Sequence, residues 1–555
     1  AALRKLEDQA HEKKYGKLHP LLYDELQRRT PFERIPVGLW LNCNEQPLDK
    51  SKYLSAVLTG AGAPLPLLAY RRTVADAKER ARSGLAALGV QAPRELLTVP
   101  LIMTMATRQQ IAAITKLEHI ETIYLHRERW VKDLTASLAI SRATSVQTVK
   151  GYKGKGVRVA LWEDSPDPVS SLAFAAYYDP TRRNKSTHSR MVAGIIKNNH
   201  PTEPNGYAPE CTLFSANLEN LEALEWAVVR QECTVINQSF SDYWASNTGS
   251  LVLEDRVKDY LANHYPFPTI VQAAGNSGNA AYSGRYYVKP KGYNGIIVGN
   301  HDDTASAMSD LSIYRNPDSP SGDRELPDIC ANGTDVDVLG DVKSGTSFAA
   351  PAVTGTVALL QSVDPQLKPR PYACRAILYA SAHNVDGDTW FKDVSNLVDA
   401  KDGAGALDAF AAVEIAESRQ VGNNTAVERG WDGGMLSLKD FDSRDYTRFL
   451  YRVLVPASGA RHVKVALAWN SRTTDTRASA TTKRITTSNL VHDLDLYIWG
   501  EGHVVAYSAS VDNSYEIAEF DAKPGKTYTV FIARNPSTSI EDVHYGIAWM
   551  VHPRA

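Results

Sequence analysis

The segment Ser344-Gly345-Thr346-Ser347-Phe348-Ala349-Ala350-Pro351 is a tight glycine turn that runs into a helix of small residues continuing to Gln361. A serine at such a point lies in the positive field of the helix N-terminus, beside free backbone N–H groups. That setting suits a nucleophile whose attack builds up negative charge, although the commoner role for a serine there is a plain helix cap. Three other segments change the balance. His188, ahead of the apolar run Met191–Ile196, is a base able to take a hydroxyl proton. Asn276, in Ala273-Ala274-Gly275-Asn276-Ser277-Gly278, follows a buried apolar run. Its amide N–H₂ can donate to an oxyanion, and Gly-Asn is also ordinary turn chemistry. Gly156 opens the run Val157–Trp162, which ends in Glu163-Asp164. Carboxylates at the carboxyl end of a parallel strand stand on the active edge of an open α/β sheet.

In the order acid, histidine, asparagine, serine, these segments resemble the subtilisin-like serine proteases, the subtilases of the peptidase S8 family. The G-T-S-x-A-x-P element around Ser347 is highly specific, and G-N-S-G after a buried strand adds independent weight. Gly206-Tyr207-Ala208-Pro209, Val235–Ser241 and Pro327–Gly333 match as well, so the resemblance runs from about 150 to 385. It implies a serine endopeptidase working through an acyl-enzyme on Ser347. In that scheme His188 is general base and then acid, and Asn276 is the side-chain donor to the oxyanion. Ser239, Phe240, Ser241, Ala274 and Gly275 would hold an extended peptide by backbone pairing. The physics agrees: serine is a poor nucleophile until a base takes its proton, and one oxyanion donor is worth roughly 3–4 kcal/mol of barrier.

Two departures stand out. The histidine motif reads His188-Ser189-Arg190-Met191 where the family has H-G-T-H. Counting seven residues on from Gly156 lands on Glu163, whereas the family's aspartate matches Asp164 by type. Register favours Glu163 and residue type favours Asp164. The reading leans to Glu163, because Glu fills the orienting role in other serine hydrolases. The same departures keep a second reading open, that of a catalytically inactive subtilase serving as a binding or signalling module.

The elements needed to position these residues are legible in outline. Val157–Trp162, Leu213–Asn217, Val235–Ser239 and Thr269–Ala274 are short apolar runs of the fully buried kind. Helical stretches near 190–199, 220–232 and 250–263 separate them, and the last helix ends near Ser418. This alternation predicts an α/β fold: a subtilisin-like parallel sheet with helices on both faces. Gly151, Gly154 and Gly156 precede a strand where a nucleotide loop would follow one, so they read as a surface turn. No G-x-S-x-G surrounds Ser347, which disfavours an α/β-hydrolase.

The flanks have different textures, which divides the chain into 1–132, 133–418 and 419–555. In the first block Ile35, Val37, Leu39 and Leu41 alternate as in a strand. Val74, Ala77, Ala81, Leu85 and Leu88 recur at helical spacing. Thr98–Met105 and Ile120–Leu125 read as further strands, and Thr107 with Gln110 forms a capping box. This α+β module of βαβαβ type resembles a subtilase propeptide. The likeness implies a folding aid and inhibitor of its own protease, released by self-cleavage between about Arg127 and Ser137. The last block offers strand-like runs at Met435–Phe441, Phe449–Val455, Val463–Trp469, Leu494–Trp499, Tyr515–Phe520, Thr527–Ala533 and Tyr545–Val551. They predict a β-sandwich or jelly roll, similar to the C-terminal domain of KP-43-type subtilases. Asp493 and Asp495 share a face at period two. A structural calcium ion there is left open beside the commoner reading of a solvated strand face.

Composition sets the outer limits. The 555 residues carry 61 Lys plus Arg against 63 Asp plus Glu, a net charge of −2. That balance argues against a polybasic nucleic-acid binder. No apolar run nears the roughly 18 residues of a membrane helix. The five cysteines form no C-x-x-C pair and no zinc spacing, so they are expected to be small core hydrophobes and no metal centre is predicted. The chemistry requires no cofactor, and the partners expected are a protein or peptide substrate and the chain's own propeptide. The N-terminal AALRKLEDQAHEKK lacks an apolar signal core. The family resemblance points to a secreted protein whose leader was removed ahead of residue 1, with an intracellular one left open.

Overall fold

In the computed structural model the described residues are 14–19, 22–23, 26, 32–43, 65–90, 94–95, 100–125, 133–181, 186–201, 204–240, 249–277, 286–302, 305, 307–383, 385, 401–421, 425–459, 461–477, 485–538 and 540–553. The chain forms two compact units, Ala1–Trp130 and Val131–Ala555. Period-two alternation builds the first. Arg34–Leu41 buries Ile35, Val37, Leu39 and Leu41 and lies between Leu101–Thr107 and Ile120–Leu125 in an antiparallel sheet, with Arg94–Glu95 at its edge. The helix Leu65–Ala87 contributes Val74, Ala77, Ala81 and Leu85 to the same core. The short helix Arg108–Ile114 starts where Thr107 and Gln110 cap each other reciprocally.

The second unit begins with apolar runs too long on one face to be half-solvated. All five residues of Thr269–Ala273 are buried, as are all four of Val235–Gln238. Together with Ile329–Asn332, Ile296–His301, Arg158–Trp162, Thr212–Ala216 and Phe174–Tyr177 they make a seven-stranded parallel sheet. Its order, in pairs outward from Arg158–Trp162, is Val235–Gln238, Thr269–Ala273, Ile296–His301, Ile329–Asn332 on one side and Thr212–Ala216, Phe174–Tyr177 on the other. The connections leaving the adjacent strands Arg158–Trp162 and Val235–Gln238 run toward opposite edges of the sheet, and crevices form at the carboxyl ends beside such a switch. The helix Thr346–Val363 packs into the main core through Ala349, Ala350, Ala352, Val353 and Val357, small residues that let a buried helix approach strands closely. All five cysteines are buried.

Among the described residues, 426–553 of the same unit form two larger sheets and a two-stranded one, Thr473–Arg477 with Ile485–Leu490; all pairings are antiparallel except that of Ala426–Val427 with Tyr451–Leu454. One has five strands and joins Tyr451–Leu454, Thr527–Arg534, Leu494–Gly500 and His503–Ser508 to the short Ala426–Val427. The other joins Arg429–Leu436, Val543–Pro553, Arg461–Trp469 and Tyr515–Ala522. Val463, Val465, Leu467, Trp469, Val530 and Ile532 pack between them. The expected strand over Met435–Phe441 is corrected: the strand is Arg429–Leu436, and a single 3₁₀ turn, Leu438–Asp440, follows it. Ser437 and Asp440 cap that turn reciprocally, which ends the extended run that the apolar spacing suggested.

The four-stranded sheet is buried on its second face too, against the helix Pro371–Ser381. Gly546 permits the approach, since a Cβ there would sit 2.4 Å from the Ala373 Cα. Arg375, fully buried on that helix, donates to the Trp469 carbonyl at 3.2 Å and to Ser514 Oγ at 2.9 Å. Lys464, mid-strand and buried, donates to the carbonyls of Ala382 (3.1 Å) and Ala404 (2.7 Å) and pairs with Glu519 at 2.8 Å. Each buried charge thus meets oxygen acceptors, as burial of a charge requires.

Candidate active site

Three neighbouring strands deliver the polar residues at their carboxyl ends: Glu163 after Arg158–Trp162, Ser239 after Val235–Gln238, and Asn276 after Thr269–Ala273. Two helix N-termini complete the group. His188 lies in the first turn of Thr187–Lys197, a helix capped by Ser186, whose hydroxyl accepts from the Ser189 N–H at 3.1 Å. Ser347 is the second residue of Thr346–Val363, so its N–H is among those with no acceptor inside the helix. Pro351, four residues on, has no N–H to return to the Ser347 carbonyl.

The turn before Ser347 is built around Asn276. Its Oδ1 accepts from the Thr346 N–H (2.9 Å) and hydroxyl (3.2 Å), while the Thr346 hydroxyl in turn accepts from the Gly275 N–H at 3.2 Å. Anchoring the oxygen leaves the amide's N–H₂ end to donate elsewhere. Gly345 has φ +147°, and a Cβ on it would stand 3.1 Å from Asn276 Nδ2, so this position calls for glycine.

The Glu163 side chain is buried, and its carboxylate lies 3.5 Å from His188 Nδ1. That distance is long for a hydrogen bond and close for charge attraction. Among the described residues neither Glu163 oxygen has a hydrogen-bond partner otherwise. Asp164 is exposed. The His188 ring sits 5.3 Å from the ring of Phe348, the residue after Ser347, so histidine and serine are neighbours. The Ser347 hydroxyl itself donates to the Ser239 carbonyl at 2.8 Å. Ser239 is held in turn, its hydroxyl accepting from Asn237 Nδ2 (3.0 Å), while Asn237 Oδ1 accepts from Thr354 (2.8 Å) on the Ser347 helix.

Partial burial lowers the His188 pKa, but the contact with Glu163 and the charges of Glu163, Glu219 and Asp164 outweigh it, so the imidazole is held above its ordinary value. Glu219 is raised, by burial first and then by the charges of Asp164 and Glu163. Glu219 was not singled out from the sequence. The signal was present: like Glu163 it is a carboxylate just past the end of a buried strand, Thr212–Ala216.

The structure brings Glu163, His188, Asn276, Ser347, Ser239, Ala274 and Gly275 to one edge, with Phe240 turned onto Trp162, ring to ring at 5.0 Å. Ser241 lies outside the described residues. The residues that depart from H-G-T-H serve the scaffold: Ser189 and Met191 are buried, and Arg190 pairs with Asp341 and, at 3.6 Å, with Asp167. Asp493 is corrected. It is buried, not on a solvated face, and accepts from Asn535 Nδ2 at 2.8 Å; burial above all pushes its carboxyl up to about 7. Among the described residues no group of three or more His, Cys, Asp or Glu could hold a metal ion, and no helix is long and apolar enough to cross a membrane.

Residues 154–406 match the model of the Subtilase family. The thermostable alkaline protease of Halalkalibacterium halodurans is 26% identical over 288 residues, covering 49% of this chain and 75% of that protein. Subtilisin NAT of Bacillus subtilis subsp. natto is 26% identical over 234 residues, covering 39% of this chain and 58% of the relative, less than two thirds of its length. A crystal structure of MycP1 from Mycobacterium smegmatis, 20% identical, covers 50% of this chain and 84% of its own with a TM-score of 0.37, too low to bear on the fold. The match of 154–406 to the Subtilase family and the two protease relatives together support a subtilisin-like serine protease.

Proposed function

We propose that the chain is a serine endopeptidase that cleaves peptide bonds through an acyl-enzyme on Ser347. The observation that carries the reading is the buried Glu163 carboxylate 3.5 Å from His188 Nδ1, with the His188 ring against Phe348 beside the serine. In this mechanism Ser347 rotates from the Ser239 carbonyl to His188, which takes its proton as the hydroxyl oxygen attacks the scissile carbonyl. Glu163 stabilises the imidazolium and fixes its tautomer, leaving Nε2 as the base. The Asn276 amide and the Ser347 N–H donate to the tetrahedral oxyanion. His188 then returns the proton to the leaving amine, and water repeats the sequence to free the acid. The reaction draws on no cofactor, and its substrates are proteins or peptides.

We further propose that residues 1–132 act as an inhibitory propeptide of a secreted zymogen, which the protease cuts off at the junction. The boundary of the two units at Trp130/Val131 supports a cut near there. A fluorophosphonate probe tests the catalytic part. Labelling of the processed protein that disappears in Ser347→Ala is expected, and no labelling of Ser347 would leave the inactive binding module as the better reading. Mass spectrometry of freshly folded chain tests the second part. A purified Ser347→Ala chain that still parts at the junction would exclude self-cleavage.

A further inference from the structure

The outer face of the five-stranded sheet carries rings where a solvated face usually carries charge. Phe531, Tyr497 and Tyr507 are cross-strand neighbours in one row, and Thr529, Trp499 and Val504 form the next. Trp499 is 46% exposed and Tyr507 51%. The Tyr497 and Tyr507 rings are nearly parallel at 12°, centroids 5.8 Å apart. Tyr446, on the loop ahead of Tyr451–Leu454, stands edge-on to Tyr497 at 5.6 Å and to Phe531 at 6.0 Å. With Asp442, Arg444 and Arg448 from that loop the face encloses a depression of ≈ 460 Å³. Asp442 accepts from both Nε and Nη2 of Arg444, at 3.1 and 2.9 Å.

From this face we propose a saccharide site that takes a neutral oligosaccharide, with ring C–H faces on Trp499 and Tyr497 and hydroxyls on the Asp442–Arg444 pair. Size argues for a small ligand. The volume falls within the roughly 300–1,000 Å³ of small-molecule sites. Eleven residues line it, against about 20–30 on each side of a protein interface. Topology argues against an added peptide strand over Trp499 and Tyr497, because Leu494–Gly500 and Thr527–Arg534 are each paired on both sides and the free edge on that side lies beyond them at His503–Ser508. Charge decides between the remaining ligands. Aromatic faces attract cations, but Arg444 neutralises Asp442 and Arg448 adds a further positive charge at the rim, so an ammonium ligand is repelled. A sugar ring presents electron-poor C–H groups to the negative ring faces. Its adjacent hydroxyls match a guanidinium donor beside a carboxylate acceptor.

Titration calorimetry of the full chain with neutral hexasaccharides of glucose, mannose, xylose and N-acetylglucosamine tests the site. Saturable binding of at least one is expected, weakened about tenfold or more, or roughly 1.4 kcal/mol, by Trp499→Ala with an unchanged unfolding midpoint. Arg444→Ala, a change at a side chain that is 78% exposed, should weaken the same sugar and serves should the Trp499 variant not fold. No saturable heat with any of the four up to about 10 mM overturns the proposal. So does binding indifferent to both substitutions, or a stronger response to tetramethylammonium or a proline-rich peptide than to every sugar.

Discussion

Two sheets of the second unit are buried on both faces, and they handle polar side chains in different ways. The seven-stranded parallel sheet carries neutral polar side chains such as Asn237 and Gln272 within its strands and places Glu163, Ser239 and Asn276 at the carboxyl ends. The four-stranded antiparallel sheet carries His462, Lys464, Glu516 and Glu519 in mid-strand, all buried. There His462, Lys464 and Glu519 meet one another, Lys464 reaches the carbonyls of Ala382 and Ala404, and Glu516 accepts from the Ser508 hydroxyl and the Ser510 N–H. A polar group at a strand end has room to change partners, which a reaction needs. A polar group in mid-strand is boxed in by its neighbours, so it fastens two layers together. The first placement should govern turnover and the second stability.

That division can be broken by experiment. The largest effect expected is on turnover: Ser347→Ala and Glu163→Gln should each lower kcat/KM on a peptide substrate by about 10⁴-fold, with unfolding midpoints near wild type. Next comes Lys464→Ala, which strands the buried Glu519 carboxylate and the carbonyls of Ala382 and Ala404 at the layer junction. Denaturant unfolding should show a loss of about 3–5 kcal/mol, and a loss below 1 kcal/mol would mean that mid-strand polar groups do not bind the layers. Asp164→Asn should change turnover by less than about threefold, since the exposed carboxylate acts only through its charge; a collapse equal to that of Glu163→Gln would reassign the acid. The smallest effect is on pH. His188 must be neutral to accept a proton and its pKa is raised, so kcat/KM should climb with pH and reach half its maximum above 6.5. Glu219→Gln removes a charge that favours the imidazolium and should move that midpoint down.

Legibility followed the same division. Ser347, His188 and Asn276 could be singled out because helix starts and strand ends are written as residue types beside glycine turns and apolar runs. The acid could not be fixed, because Glu163 and Asp164 are adjacent and alike in type, and only the burial of one and exposure of the other separates them. Four of the seven parallel strands were found to within a residue, since continuous apolar runs have few other uses; Phe174–Tyr177, Ile296–His301 and Ile329–Asn332 were not singled out. His503–Ser508 was missed, its side chains being mostly exposed and lacking a clean alternation. The junction was invisible: Lys464 in Val463–Trp469 looks like an outward lysine until the helix Pro371–Ser381 is laid over it.

The Ser347 hydroxyl rests on a main-chain oxygen of the segment expected to cradle the substrate. Loading the groove and arming the serine therefore draw on the same atom. A reagent too small to touch Ser239 meets a hydroxyl still committed to its neighbour, whereas an occupant that claims the Ser239 carbonyl sets it free. Inhibitor onset should then quicken with peptide length even when the reactive warhead is unchanged.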